Sequence, residues 1–276
     1  MNNITLTCVM GADKKLFDLN LIKHFINHYR GIGIEKFLIA VNATSENDTK
    51  DAVDILTGLG VTPEVWVGDF FELSKTDRLH KLQKKVITEW TFVVDSDEFA
   101  QIDNLQLIID KCNKYKRIAV HGKLIDRFAP SYKLNPVDPD ESIWNQFPLE
   151  SNINMLELIG GTDTKAFMFK TGNYMSSYGN HALYVIKPLH NMDSRQIGNQ
   201  FYYPYRFNIA HFKWTSTCYE RLKARIDSFA KDFENQWHKE IQIMAQNIKN
   251  GVVNLDDFKD ETFRAKVNKL PKLERI

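Results

Sequence analysis

Glu89-Trp90-Thr91-Phe92-Val93-Val94-Asp95-Ser96-Asp97-Glu98-Phe99 is the stretch on which the reading of this chain turns. Residues 91–94 are β-branched or aromatic, the composition of a strand buried on both faces of a parallel sheet. The run ends abruptly in acid, with Asp95, Asp97 and Glu98 crowded at its carboxyl end. Carboxylates that close repel one another unless positive charge sits among them. Mg2+ and Mn2+ are commonly shared between one or two carboxylates and a substrate phosphate. Open α/β sheets also take their ligands at the carboxyl ends of strands. The stretch therefore predicts a metal–diphosphate site; the alternative is a strand whose acids cap the next helix.

Upstream, strand-like and helical patterns alternate. Residues 4–10, 36–42 and 65–67 read as strands, and 14–30, 51–60 and 74–90 as amphipathic helices with their apolar residues three or four apart. Four such strands with short connections, the last leading into Asp95, predict a parallel α/β sheet. Downstream the character changes. Residues 105–115 read as a helix and 117–122 as a strand; 126–150 then carry four prolines among Phe128, Tyr132, Trp144 and Phe147 and several acids. A long Pro-rich loop of this kind is more often functional than idle, and aromatics among acids suit a sugar. The same aromatics would equally serve to pin an irregular loop to the core. Residues 165–170 and 206–212 read as further strands. From residue 215 an apolar stripe through Tyr219, Leu222, Ile226, Phe229, Phe233, Trp237, Ile241, Met244 and Ile248 predicts one long helix or two consecutive ones. Such a stripe packs on the rest of the chain or on a second subunit. The expected division is a catalytic part, 1–215, and a helical extension, 216–276.

Composition excludes several classes. With 276 residues, 43% of them apolar, the chain can bury a sizeable core. A formal charge of +1 argues against nucleic acid as a partner. No basic, apolar leader opens the sequence and no run approaches the roughly 18 apolar residues of a membrane span. Cys8, Cys112 and Cys218 are far apart and read as reduced core thiols of a cytoplasmic protein. The basic tail (Arg264, Lys266, Lys269, Lys272, Arg275) reads as solvated, with peripheral contact to an anionic membrane surface as the alternative. His24 and His28 have the i, i+4 spacing of a zinc pair, but with no Glu between them they read as ordinary helix residues.

Three segments together resemble a known family. The Thr7-Cys8-Val9-Met10 strand, with a helix ending His28-Tyr29-Arg30-Gly31-Ile32-Gly33, resembles the amino-terminal unit of GT-A-fold glycosyltransferases of the family 2 type, related to the family 92 enzymes. Val93-Val94-Asp95-Ser96-Asp97-Glu98-Phe99 resembles the family's D-x-D-E-F motif, and Asn208-Ile209-Ala210-His211-Phe212-Lys213-Trp214 its later His-containing element. The resemblance implies a GT-A (Rossmann-like) mixed sheet with a helical carboxyl-terminal extension. It also implies a transferase using a nucleoside-diphosphate sugar, UDP-sugars being favoured, with Mn2+ or Mg2+ and a carbohydrate acceptor. Carried over, Asp97 becomes the direct metal ligand, Asp95 a metal or ribose ligand, and His211 the third metal partner, while Lys213 meets a phosphate.

An inverting transfer needs a base for the acceptor hydroxyl. Asp126, Glu157, Asp163 and His181 are candidates; Asp126, following the 117–122 strand at the mouth of the aromatic loop, is favoured, with His181 its rival. For the nucleotide, Asp13 after the first strand, Asn42 ending the second and Arg78 on the helix before the motif are the expected contacts. Met10-Gly11-Ala12-Asp13 departs from the family's pattern by lacking its Asn-Glu pair. Two other readings stand beside the transferase: a sugar-nucleotide- or glycan-binding module without catalysis, and a haloacid-dehalogenase-like phosphohydrolase. The second is disfavoured because three strand–helix units precede the motif and Phe99 stands where a Thr or Val is usual.

Overall fold

Apolar strands joined by amphipathic helices can bury both of their faces only by lying parallel with helices on either side. The computed structural model, which describes residues 3–68, 72–151, 163–172, 174–185, 195–229 and 236–254, has this arrangement in its amino-terminal half. In chain order the first elements are β1 (Ile4–Gly11), α1 (Leu21–Gly31), β2 (Lys36–Ala43), α2 (Glu46–Gly58), β3 (Glu64–Val67), α3 (Glu72–Gln83) and β4 (Trp90–Val93). There follow β5 (Glu98–Ala100), α4 (Leu105–Lys114), β6 (Ala119–Phe128), α5 (Ile143–Gln146), β7 (Leu149–Ser151), β8 (Thr164–Lys170), β9 (Tyr174–Ser176), β10 (Leu183–Val185) and β11 (Arg195–Gln196). The last are β12 (Phe207–His211), α6 (Cys218–Phe229), α7 (Gln236–Gln246), β13 (Ile248–Lys249) and β14 (Val252–Val253). Packing divides the chain into two compact units: residues 1–13, 21–123 and 164–209, and residues 14–20, 124–163 and 210–276.

The first unit is built on a mixed sheet in the order β3-β2-β1-β4-β8-β6-β12-β5. β1, β2, β3 and β4 are mutually parallel, while β8 runs antiparallel to both β4 and β6. This is the Rossmann-like α/β sheet expected of a GT-A fold. Successive strand residues face opposite sides, and the two sides are covered differently. Phe92 packs edge-on against Tyr29 of α1, in an aromatic cluster that goes on through Phe25 to Phe99. Val93 faces the other way, into a core with Val9, Ala40, Ala166 and Leu79 and Leu82 of α3. α3 stops at Gln83, short of the expected 90, because the β-branched Val86-Ile87-Thr88 is poor helix. Thr88 instead hydrogen-bonds Thr5 (2.8 Å), leading the chain into β4.

α1 also starts later than expected, at Leu21 rather than 14. Residues 14–20 belong to the second unit, where Asp18 accepts from the Val137 amide (2.9 Å) and Asn20 donates to the Val137 carbonyl (2.7 Å). In that unit the expected aromatic loop is mostly core. Phe128 stacks on Trp214 at 5.4 Å, while Trp144 and Phe147 pack edge-on against Phe212. Phe128 and Phe147 are buried, so the pinning role describes them and the sugar-gripping one does not. Of the apolar stripe after residue 215, the part to Phe229 lies in α6 and Trp237 to Met244 in α7, whereas Ile248 opens β13 and Phe233 lies outside the described residues. Leu222, Ile241, Met244 and Ile248 join Phe128, Trp214 and Cys218 in one cluster. β13 and β14 close a hairpin over Asn250 and Gly251, both at positive φ, the pair a two-residue turn demands. No helix among the described residues is long and apolar enough to cross a membrane. All three cysteines are buried. Glu157 and the basic tail lie outside the described residues.

Candidate functional site

The strand order reverses between β1 and β4, the place where open α/β sheets leave a crevice for ligands. β4 pairs with β1 only as far as Thr7 opposite Val93, so residues 94–97 turn over beside the remaining end of β1. The Glu98 amide donates to the Asp95 carbonyl (3.0 Å), and Glu98 Oε2 accepts from the Asp95 amide (3.1 Å). Neither acid caps a helix: β5 follows at once, and α4 begins at Leu105 with Asn104 as its cap. The family-like His28-Tyr29 pair explains itself here. Tyr29 donates to the Glu98 carbonyl (2.8 Å) and accepts from the Ala100 amide, and His28 Nε2 lies 2.9 Å from the Ala100 carbonyl. Both side chains fix the strand that follows the acids.

The positive charge that the acids require is lysine. Lys75 Nζ is 2.8 Å from Asp95 Oδ1; Lys165 Nζ is 2.7 Å from Glu98 Oε1 and 3.5 Å from Asp95 Oδ2. Burial opposes ionisation of Asp95, as does the nearby Asp97, but Lys75 and Lys165 outweigh both and hold its carboxyl down at about 2. Burial would lower the Lys165 pKa, yet Glu98 and Asp95 raise it above its ordinary value. Cys8 on β1 feels the same group: burial, then the charge of Asp95, pushes its thiol well up. Asp95 has its pKa depressed by folding, so its contribution to stability is present above pH 3.8 and is lost as pH falls toward about 2. Urea midpoints measured down that range should fall in the native protein and fall less in Lys75→Met; equal slopes would mean that Lys75 does not set this titration.

Sequence reading missed both lysines, although one carried a signal. Thr164-Lys165-Ala166-Phe167-Met168-Phe169 places a lysine inside an apolar strand, and a lysine buried to 4% exposure requires an acid partner. Lys75 had no such signal on an already basic helix.

Lys75 and Arg78 stand three apart on α3 and so share a face. Arg78 donates to Asn42 Oδ1 and lies over the Trp66 ring, 5.1 Å from its centre. Asn42 is buried, and its Nδ2 donates to the carbonyls of Trp66 and Gly68, each at 2.9 Å. Its amide thus ties β2 to the end of β3 and orients Arg78, where the expectation had it contacting the nucleotide. A Cβ on Gly68, at φ +139, would come 3.1 Å from the Arg78 guanidinium, so glycine keeps that approach open. Asp13 is half-buried just after β1. His181 Nδ1 lies 2.8 Å from the Thr164 carbonyl, the residue before Lys165. Asp13, Asn42, Arg78, Asp95, Asp97 and His181 therefore all stand at the end of the sheet where β1, β2 and β4 finish.

In the second unit two expected site residues meet each other. His211 Nδ1 is 2.8 Å from Asp126 Oδ1, with Asp126 1% exposed and His211 9%. Asp126 is not a loop residue after a strand: β6 runs on to Phe128 and pairs Asp126 with Ser151 of β7. A carboxylate on Nδ1 fixes the tautomer and aims Nε2, which makes Asp126 a positioning residue for His211. Lys213 departs from expectation as well. β12 ends at His211, and Lys213 Nζ lies 3.0 Å from Met244 Sδ with its charge over Trp214. Burial lowers the Lys213 pKa, with Cys218 and Asp126 opposing.

Among the described residues no three His, Cys, Asp or Glu side chains gather in a way that could hold a metal ion. Of the expected metal ligands, Asp95 in the first unit is paired with two lysines, and His211 in the second with Asp126.

No family model and no curated protein matches the chain. Among solved structures, S. aureus TarS is similar at 11% identity and a TM-score of 0.39, over 88% of this chain and 43% of TarS. A TarS 1–349 structure in complex with UDP-GlcNAc gives 11% identity and a TM-score of 0.41, over 88% of this chain and 71% of that one. A putative glucose-1-phosphate thymidylyltransferase from Bacillus anthracis, in complex with a sucrose, gives 12% and 0.39, over 85% and 98%. This chain spans less than half of the first of these. Likenesses of this size add nothing to the sheet topology described above.

Proposed function

We propose that this chain is a glycosyltransferase of the GT-A type, moving a sugar from a nucleoside-diphosphate donor to a hydroxyl acceptor with inversion. The observation that supports the reading best is the charge arrangement at the sheet's switch point. Asp95 and Asp97 turn over the end of β4, and Lys75 and Arg78 reach from one face of α3 toward the ends of β4 and β2. An anionic diphosphate beside polar strand ends and an aromatic ring, Trp66, is the ligand such a corner suits. The family resemblance favours a uridine nucleotide and a glycan acceptor, and the buried thiols suit the cytoplasm.

In this reading the acceptor oxygen attacks the anomeric carbon, the bond from that carbon to the diphosphate oxygen breaks, and the electron pair leaves on the diphosphate. Fixed positive charge facing that oxygen stabilises the departing group. The hydroxyl proton passes to a protein base, for which the Asp126–His211 pair and His181 are the candidates. Mn2+ or Mg2+ enters the proposal as an ion that the diphosphate brings, with Asp97 the carboxylate that shares it.

Calorimetry with nucleoside diphosphates and Mn2+ tests this. The native protein should bind at least one of UDP, GDP, ADP and dTDP. Asp97→Ala should weaken that binding by up to about tenfold in Mn2+ with its melting temperature unchanged. A folded native protein that binds none of them would overturn the reading; unaltered binding by Asp97→Ala would remove Asp97 from the site.

A further inference from the structure

A divalent cation is held where several oxygens face one point with no competing positive charge between them. At the end of β4 that position is contested. Asp95 Oδ1 faces Lys75 and Asp95 Oδ2 faces Lys165, at 2.8 and 3.5 Å. The two lysines differ in exposure. Lys165 is nearly inaccessible and is anchored at 2.7 Å to Glu98, which is itself 1% exposed, so this pair is part of the core. Lys75 comes from the first turn of α3, and its side chain keeps 16% of its surface in solvent. A lysine ammonium is a rotatable charge with three donors on a flexible stem, so it can turn a donor toward a phosphate oxygen while a carboxylate keeps it in place. One turn further along the same face, Arg78 is braced between Asn42 and the Trp66 ring, and a planar guanidinium fits phosphate oxygens two at a time.

We propose, resting on the nucleotide-sugar reading above, that Lys75 supplies the charge opposite the donor diphosphate and that Asp95 acts as the positioning residue for Lys75. The diphosphate is then held mainly by the protein's own charge, and a divalent cation that comes with it adds no more than about tenfold to the affinity. Lys165 and Glu98 set the platform, and Arg78 takes the second phosphate. The acids at the end of β4 thus aim a lysine.

The test is calorimetric titration of the full chain with UDP, GDP, ADP and dTDP, each in excess EDTA and again in saturating Mn2+. The best-bound diphosphate should keep its affinity in EDTA to within about tenfold of the Mn2+ value. In EDTA, Lys75→Met should bind it roughly 10- to 100-fold more weakly, and Lys75→Arg should restore most of the loss. Should Lys75→Met fail to fold, Lys75→Gln, which keeps a hydrogen bond to Asp95, reads the same charge. Binding by the native protein that EDTA abolishes, or binding by the neutral variants equal to native in EDTA, overturns the inference and leaves the nucleotide reading standing. Absence of binding in both conditions takes down that reading and the inference with it.

Discussion

Lys165→Met should cost the protein about 3–5 kcal/mol of stability, read from urea unfolding at neutral pH. The reason is the burial of both partners. Lys165 is 4% exposed and Glu98 1%, and their polar atoms meet at 2.7 Å. Methionine keeps most of the stem's volume, so little of the loss comes from a cavity. What the substitution removes is the ammonium, leaving Glu98 to ionise in the core or to take up a proton. The variant should therefore gain stability as pH is lowered into the carboxylate range, opposite in sign to the Asp95 effect in the native protein. Glu98→Gln in the same chain should recover part of the loss, and the coupling in that double-mutant cycle should be roughly 0.5–3 kcal/mol. A loss below about 1 kcal/mol for Lys165→Met, the range of a solvated surface pair, would show that this pair is not what holds the turn after β4.

The same pair shows how far the sequence carried. The parallel half of the sheet was legible because its determinants are local. Residues 91–94 read as a buried strand from their own side chains, and α1 and α3 announced themselves by apolar spacing. What failed locally failed at ends, where long-range contacts decide. Asp18 and Asn20 hold residues 14–20 in the second unit, against a periodicity that looked helical. The Asn250-Gly251 hairpin carried a local signal that the helical stripe obscured.

For the site, the sequence marked the right end of the right strand and the need for a positive partner there. It could not say which partner, because Lys75 and Lys165 lie on opposite sides of Asp95 in sequence, Lys165 seventy residues away, and meet it only through α3 and β8. Asp126 and His211 are a similar case. Each was singled out on its own, one as a base and one as a ligand, and only the pairing of β6 with its neighbours makes them one unit across 85 residues. A divalent ion and a lysine solve the same electrostatic problem, so acid spacing alone does not distinguish them.

The Asp126–His211 pair carries the other large expectation, and its two halves separate structure from chemistry. His211→Leu removes the imidazole that is hydrogen-bonded to a carboxylate 1% exposed, and should lower stability by about 1–3 kcal/mol. Asp126→Asn is a milder change, because its amide oxygen can still accept from Nδ1–H at a similar distance, and its cost in urea unfolding should be about 1 kcal/mol. If the pair serves as the base, turnover should nevertheless fall by roughly 10²- to 10⁴-fold in Asp126→Asn, with donor affinity by calorimetry near native. The neutral amide orients the ring but offers no charge to stabilise the imidazolium that forms when the acceptor gives up its proton. A structural bond alone would give the opposite pattern, a stability change with turnover per folded molecule intact. Turnover at native level in Asp126→Asn would thus leave the pair as a core contact and move the base to His181, whose Nδ1 is already committed to the Thr164 carbonyl and whose Nε2 would then be the atom that takes the proton.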